Sequence, residues 1–155
     1  MRLETPYRVS RSYTQHLIAP PAEVFPLLCP VRELEWVDGW DPGIVITESG
    51  IAELGCVFTT GTADAEAVWT ITKFEPEAGQ IAFLKVTPGL TVADIRVELG
   101  PDGETGSVAH VTYAHTALGP DGRRVVDEFT EDYYLAFMQG WEAALNAQLA
   151  RTTGT

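Results

Sequence analysis

The sequence predicts an α+β fold: a seven-stranded, antiparallel, curved sheet wrapped around a long C-terminal helix, with two short helices after the first strand. Three observations predict it. Short β-rich runs follow one another between Gly, Pro and Asp clusters, a spacing that suits consecutive antiparallel strands. The run 91–99 alternates, with Thr91, Ala93, Ile95, Val97 and Leu99 on one face and Asp94, Arg96 and Glu98 on the other, so one sheet face is covered and one is wet. A single long amphipathic stretch near the C-terminus is available as the cover.

Each element follows from local chemistry. Residues 9–18 read as the first strand, with Val9, Tyr13 and Leu17 in one parity and Ser10, Ser12, Thr14 and His16 in the other. Pro20-Pro21 stops that strand, and Pro21 and Glu23 suit the first turn of a helix over 21–28. Pro26 removes a backbone donor and must kink or shorten this helix, and Pro30 ends it. A second short helix spans about 31–36 and runs into VDGWDPG, which is turn chemistry.

Strands are predicted near 44–48, 55–60, 66–74, 80–87, 91–99 and 107–118. Gly50 and Gly55 read as turn residues, and GPDGETG (100–106) as a hairpin connection. Gly119-Pro120-Asp121-Gly122 breaks the last strand, and one helix is expected over about 123–150, roughly 40 Å at 1.5 Å per residue. At 100° per residue, Glu128, Glu131, Asp132, Gln139, Glu142 and Asn146 share a polar arc. Phe129, Tyr133, Phe137, Gly140, Trp141, Ala144 and Leu145 share the arc expected to be covered, and Leu135 is out of phase.

Composition narrows the function. A chain of 155 residues with 45% hydrophobic and 21% charged residues suits one globular domain spanning 1–155. No apolar run reaches the ~18–20 residues a membrane span needs, and the polar N-terminus lacks the apolar core of a secretory signal, so the expected compartment is cytoplasmic. The net charge of −12 repels phosphate backbones and anionic membranes, which argues against nucleic acid as a partner. Cys29 and Cys56 have no metal-like spacing, and His16, His110 and His115 are scattered, so neither a metal nor another cofactor is expected. Cys29, after Leu27-Leu28, reads as a small buried hydrophobe. P-loop, G-x-S-x-G and G-x-G-x-x-G motifs are absent.

Three segments carry a family resemblance. APPAEVFPLLCPVRELEWVDGW (19–40) resembles the opening of SRPBCC superfamily members, the START and pollen-allergen-like helix-grip proteins, in which a strand leads into P-x-x-V-F-x-x-L. WTITKFEP (69–76) is similar to their fourth strand and following turn, and FTEDYYLAFMQGWEAALNAQL (129–149) to their C-terminal helix. The resemblance spans nearly the whole chain. It implies the helix-grip fold and a cavity between sheet and helix that takes a small apolar or aromatic molecule. The periodicity alone implies only a covered face.

The candidate lining is mostly aromatic: Trp36, Trp40, Phe58, Trp69, Tyr113, Tyr133, Phe137 and Trp141 lie on covered faces or near the expected cavity mouth. Core packing is the plainer reading of any single one, because one aromatic buries roughly 150–250 Å². Trp36 and Trp40 flank a loop, where a tryptophan used only for packing is less expected, although a clamp between the short helices and the long one is the competing reading. His115 and Tyr113 share a parity on the last strand; if that face is the inner one they are the best candidates for catalytic or ligand contacts, with His115 as base and Tyr113 or Tyr133 as hydrogen-bond donor, and the competing reading is a buried, hydrogen-bonded histidine or an outward one. Glu33 is the better pocket-mouth candidate of two carboxylates whose default reading is a solvated surface; Glu35, two residues on, does not share its face.

Three functions stay open: a carrier or sensor of a small apolar or aromatic molecule, a cyclase- or dehydratase-type enzyme using pocket His and Tyr groups, and a protein-interaction module. A homodimer is open as the oligomeric state.

Overall fold

The computed structural model describes residues 1–62 and 65–153. Strand β1 spans Arg8–Leu17, and helix α1, Pro21–Val24, passes into a 3-10 turn over Phe25–Leu27. A second 3-10 turn covers Arg32–Glu35. Strands β2 (Val45–Ile46), β3 (Val57–Thr60), β4 (Ala67–Glu75), β5 (Gln80–Thr87), β6 (Thr91–Asp102) and β7 (Gly106–Ala117) follow, then helices α2 (Pro120–Glu128) and α3 (Glu131–Thr153). All seven strands form one antiparallel sheet in the order β1-β7-β6-β5-β4-β3-β2. The expected fold class is the observed one. Pro26 does shorten its helix, confining the α-helical turn to four residues.

The expected single helix over 123–150 is two helices. Phe129 leaves the helical region at φ −83°, ψ 64°, and its carbonyl accepts Arg11 Nε at 3.0 Å. Thr130 restarts the helix as its N-cap, its Oγ1 accepting the Tyr133 N–H at 3.1 Å, with Glu131 and Asp132 in the first turn. Gly119-Pro120-Asp121-Gly122 follows the end of β7 as expected, and it also opens α2, with proline in the first helical turn. Gly122 is there for contact: a Cβ would stand 1.8 Å from the Leu90 carbonyl oxygen.

The phase of α3 also differs from expectation. Tyr134, Met138, Leu145 and Leu149 are buried, whereas Tyr133 and Phe137, expected on the covered arc, are exposed. Glu142 and Asn146, expected in solvent, face the edge of β1. Asn146 accepts the Ile18 N–H at 3.0 Å and donates to the His16 carbonyl at 3.0 Å; Glu142 accepts the His16 N–H and the Tyr13 hydroxyl. These bonds satisfy backbone groups that an edge strand leaves unpaired. Polar residues on this helix thus serve the sheet, which a hydrophobic arc alone does not reveal.

The register lays the inner face of the sheet out in rows. Ile81, Val97 and Val111 form one row and are all sealed. In the next, Ile71, Phe83, Ile95 and Tyr113, the first three are sealed and Tyr113 is half-buried. In the row Trp69, Lys85, Ala93 and His115, only Ala93 is sealed. Burial therefore declines along the sheet toward the end where α3 begins.

Candidate functional site

Two aromatic groups face the inside of the sheet. Phe58 and Trp69 stack at 5.2 Å, with Trp40 edge-on to both at 6.1 and 6.2 Å and Phe83 edge-on at 6.3 and 6.2 Å. On the other side, Tyr113 sits 5.7 Å from both Tyr134 and Phe137, and His115 lies edge-on to Phe129 at 4.3 Å. Such offset and edge-on pairings follow from the ring quadrupoles. Lys85 stands between the groups, its Nζ 4.9 Å from the centre of the Trp69 ring.

The predicted residues divide three ways. Phe58 is sealed in the core. Trp36 is sealed too: its indole N–H donates to the Leu27 carbonyl at 3.0 Å and its ring stacks on Trp141 at 5.7 Å. It clamps the short helical segment to α3, so the loop position that suggested ligand contact has a packing explanation. Trp40 is half-buried and anchored by its N–H to the Pro30 carbonyl at 2.7 Å. Glu33, Trp69, Tyr113, His115 and Trp141 are half-buried, enclosed by protein yet with accessible surface left. Tyr133 and Phe137 are exposed at the start of α3, Phe137 against Tyr113 and Tyr133 within 5.8 Å of Phe129.

The polar groups in this interior are mostly neutral at pH 7. Burial lifts the Glu33 carboxyl to about 8, so it holds its proton. Burial, reinforced by the nearby Lys85 charge, lowers His115 to about 4, so its imidazole is neutral. Burial raises Tyr113 and Tyr134, which stay phenols. Tyr134 donates its hydroxyl to the Val111 carbonyl at 2.6 Å. Both ring nitrogens of His115, by contrast, are buried without any hydrogen-bond partner. Burial also lowers Lys85.

Lys85, Phe83 and Tyr134 were not among the residues singled out from sequence. Lys85 was findable, because it is in phase with Ile81 and Phe83 on one strand and so had to point inward. Tyr134 was hidden by its neighbour Tyr133, one position away on a helix whose phase composition leaves ambiguous.

Beside the Trp36 clamp, a cleft of about 260 Å³ opens between the 34–38 segment and α3, bounded by Leu34, Val37, Ala144, Ala147 and Arg151. A smaller one of about 70 Å³ lies between Phe25, Cys29, Ala52 and Phe74. Cys29 is buried, and its sulfur accepts the Ala52 N–H at 3.2 Å. No helix among the described residues is long and apolar enough to cross a membrane.

No family model matches the sequence, and no curated protein does. Solved structures do match. Norcoclaurine synthase from Thalictrum flavum, in complex with dopamine and hydroxybenzaldehyde, superimposes with a TM-score of 0.69 at 10% identity, covering 94% of this chain and 88% of that one. Ara h 8.0201 gives 0.64 at 15% identity, over 92% of this chain and 99% of that one. CalU16 from Micromonospora echinospora gives 0.61 at 18% identity, over 92% and 79%. With its seven-stranded sheet, its long C-terminal helix and its short helices after the first strand, the chain has the helix-grip fold that these structures share.

Proposed function

We propose that this protein binds a small aromatic or apolar molecule between the sheet and α3, as a carrier or sensor. One observation carries the reading. Glu33, Trp69, Lys85, Tyr113 and His115 are surrounded by protein on most sides but keep accessible surface, while the rows beyond them are sealed. Interiors pack like organic crystals, so inward side chains left unsealed as a group support a space among them. Norcoclaurine synthase, of the same fold, has been crystallised with two small aromatic molecules, which agrees with this class of occupant. Native mass spectrometry of the purified protein tests the reading, together with saturable fluorescence enhancement of the uncharged probe N-phenyl-1-naphthylamine. A retained small molecule or a one-to-one saturable signal is expected; a bare mass with no saturable binding overturns it.

Glu33 favours a second reading, an enzyme of cyclase or dehydratase type. A carboxyl that titrates at about 8 is matched to proton transfer near neutral pH, whereas a His115 held near 4 is a weak base and serves better as a hydrogen-bond partner. Incubating any retained compound with fresh protein separates the two readings. An enzyme changes the compound's mass, and Glu33→Gln abolishes the change while sparing binding; a carrier returns the compound intact.

A further inference from the structure

Lys85 is an interior cation without an anion. Its place in the row Trp69–Lys85–Ala93–His115 turns it inward, its ammonium lies over the Trp69 ring, and no ion pair among the described residues includes it. Glu33, the other interior acid, holds its proton at neutral pH and forms no ion pair with Lys85. A cation–π contact offsets only part of the cost of taking an ammonium out of water. Two strands away in the same row, His115 presents two buried ring nitrogens with no partner, and the residue between them is Ala93, which contributes only a methyl group. One neutral imidazole nitrogen is a donor. Two independent deficits, an unpaired ammonium and an unpaired imidazole, therefore stand on strands about 10 Å apart, two inter-strand spacings, on one sheet face with only a small residue between them.

We propose that this row is an anion subsite: Lys85 as counter-ion and His115 as N–H donor hold the carboxylate of an aromatic acid whose ring lies among Trp69, Tyr113 and Phe137. The proposal rests on the cavity reading above and narrows its ligand. A neutral carbonyl leaves the ammonium uncompensated, and a cation adds to the deficit; only an anion satisfies both groups. The net charge of −12 opposes anions at the surface, so an anion preference has to come from the interior.

A matched pair of probes tests it on the full chain: 8-anilino-1-naphthalenesulfonate against N-phenyl-1-naphthylamine, which share a hydrocarbon frame and differ in the sulfonate. Wild type is expected to bind the sulfonate about tenfold more tightly, the size of one charge-assisted contact. Lys85→Met is expected to remove that preference and leave the neutral probe within about twofold, and Lys85→Arg to restore it. Lys73→Met, at a half-buried lysine outside this row that pairs with Glu75, changes neither affinity. Should Lys85→Met fail to fold by circular dichroism, Lys85→Gln takes its place. Neutral-probe binding that equals or exceeds sulfonate binding in wild type, or a preference that survives loss of Lys85, overturns the subsite and leaves the cavity intact. Failure of both probes to bind overturns the cavity reading and the subsite with it.

Discussion

A carboxyl that keeps its proton up to about pH 8 couples this protein's stability to pH. Between 4.5 and about 8 the unfolded chain has released the Glu33 proton and the folded chain still holds it. The folded state binds more protons there, so stability falls as pH rises through that window. Glu33→Gln should therefore match wild type near pH 4 and exceed it near pH 8, read as the urea midpoint at each pH; equal midpoints at pH 8 would show that Glu33 is not held protonated. His115 acts in the opposite sense. Its value drops from 6.5 to about 4, so the stability linked to the neutral ring is present above 6.5 and lost as pH falls toward 4. Sequence parity alone placed Tyr113 and His115 on one strand face, because a strand alternates strictly. That the two nitrogens of His115 lack partners depends on what Phe129 and its neighbours contribute from elsewhere in the chain, which parity does not encode.

The break between α2 and α3 is the clearest lesson among the elements. Threonine followed by Glu131 and Asp132 is a helix start written in the sequence, and the break was missed because the apolar pattern on either side nearly continues. Thr130→Ala removes the cap and should cost about 1 kcal/mol of unfolding free energy by chemical denaturation. Gly122→Ala tests the close approach of α2 to the Leu90 carbonyl. Because the obstructing atom is backbone, a loss of about 1–3 kcal/mol is expected, and a neutral result would mean that α2 does not sit this near. Among the central strands β5 matches its expected bounds and β6 runs three residues past the expected 99, to Asp102, whereas edge strand β2 shrank from a predicted 44–48 to Val45–Ile46. An edge strand has a single neighbour, and here that neighbour, β3, is itself only four residues long.

Over the whole molecule, the inner face of the sheet is a packed core at one end and an unsealed interior at the other. Met138 and Phe137, adjacent in α3, sample the two. Met138 is fully buried, and Met138→Ala should cost about 2–5 kcal/mol. Phe137 is 43% exposed beside Tyr113, and Phe137→Ala should change stability by less than about 0.5 kcal/mol while weakening N-phenyl-1-naphthylamine binding. Thermal melts and probe titrations on the same two variants check the contrast; a large stability loss at Phe137 would mean that this end is packed core as well.

By itself the sequence determined the fold class, the succession of elements along the chain and the alternation within its strands, because those follow from periodicity and turn chemistry within short windows. Only the tertiary structure decided which side of the last helix is buried, which aromatics are sealed and which stand open, and that Lys85 and His115 share a row. Those properties depend on register and on contacts between residues far apart in the chain, and each is set by the packing of the whole sheet against α3 rather than by any local run of residues.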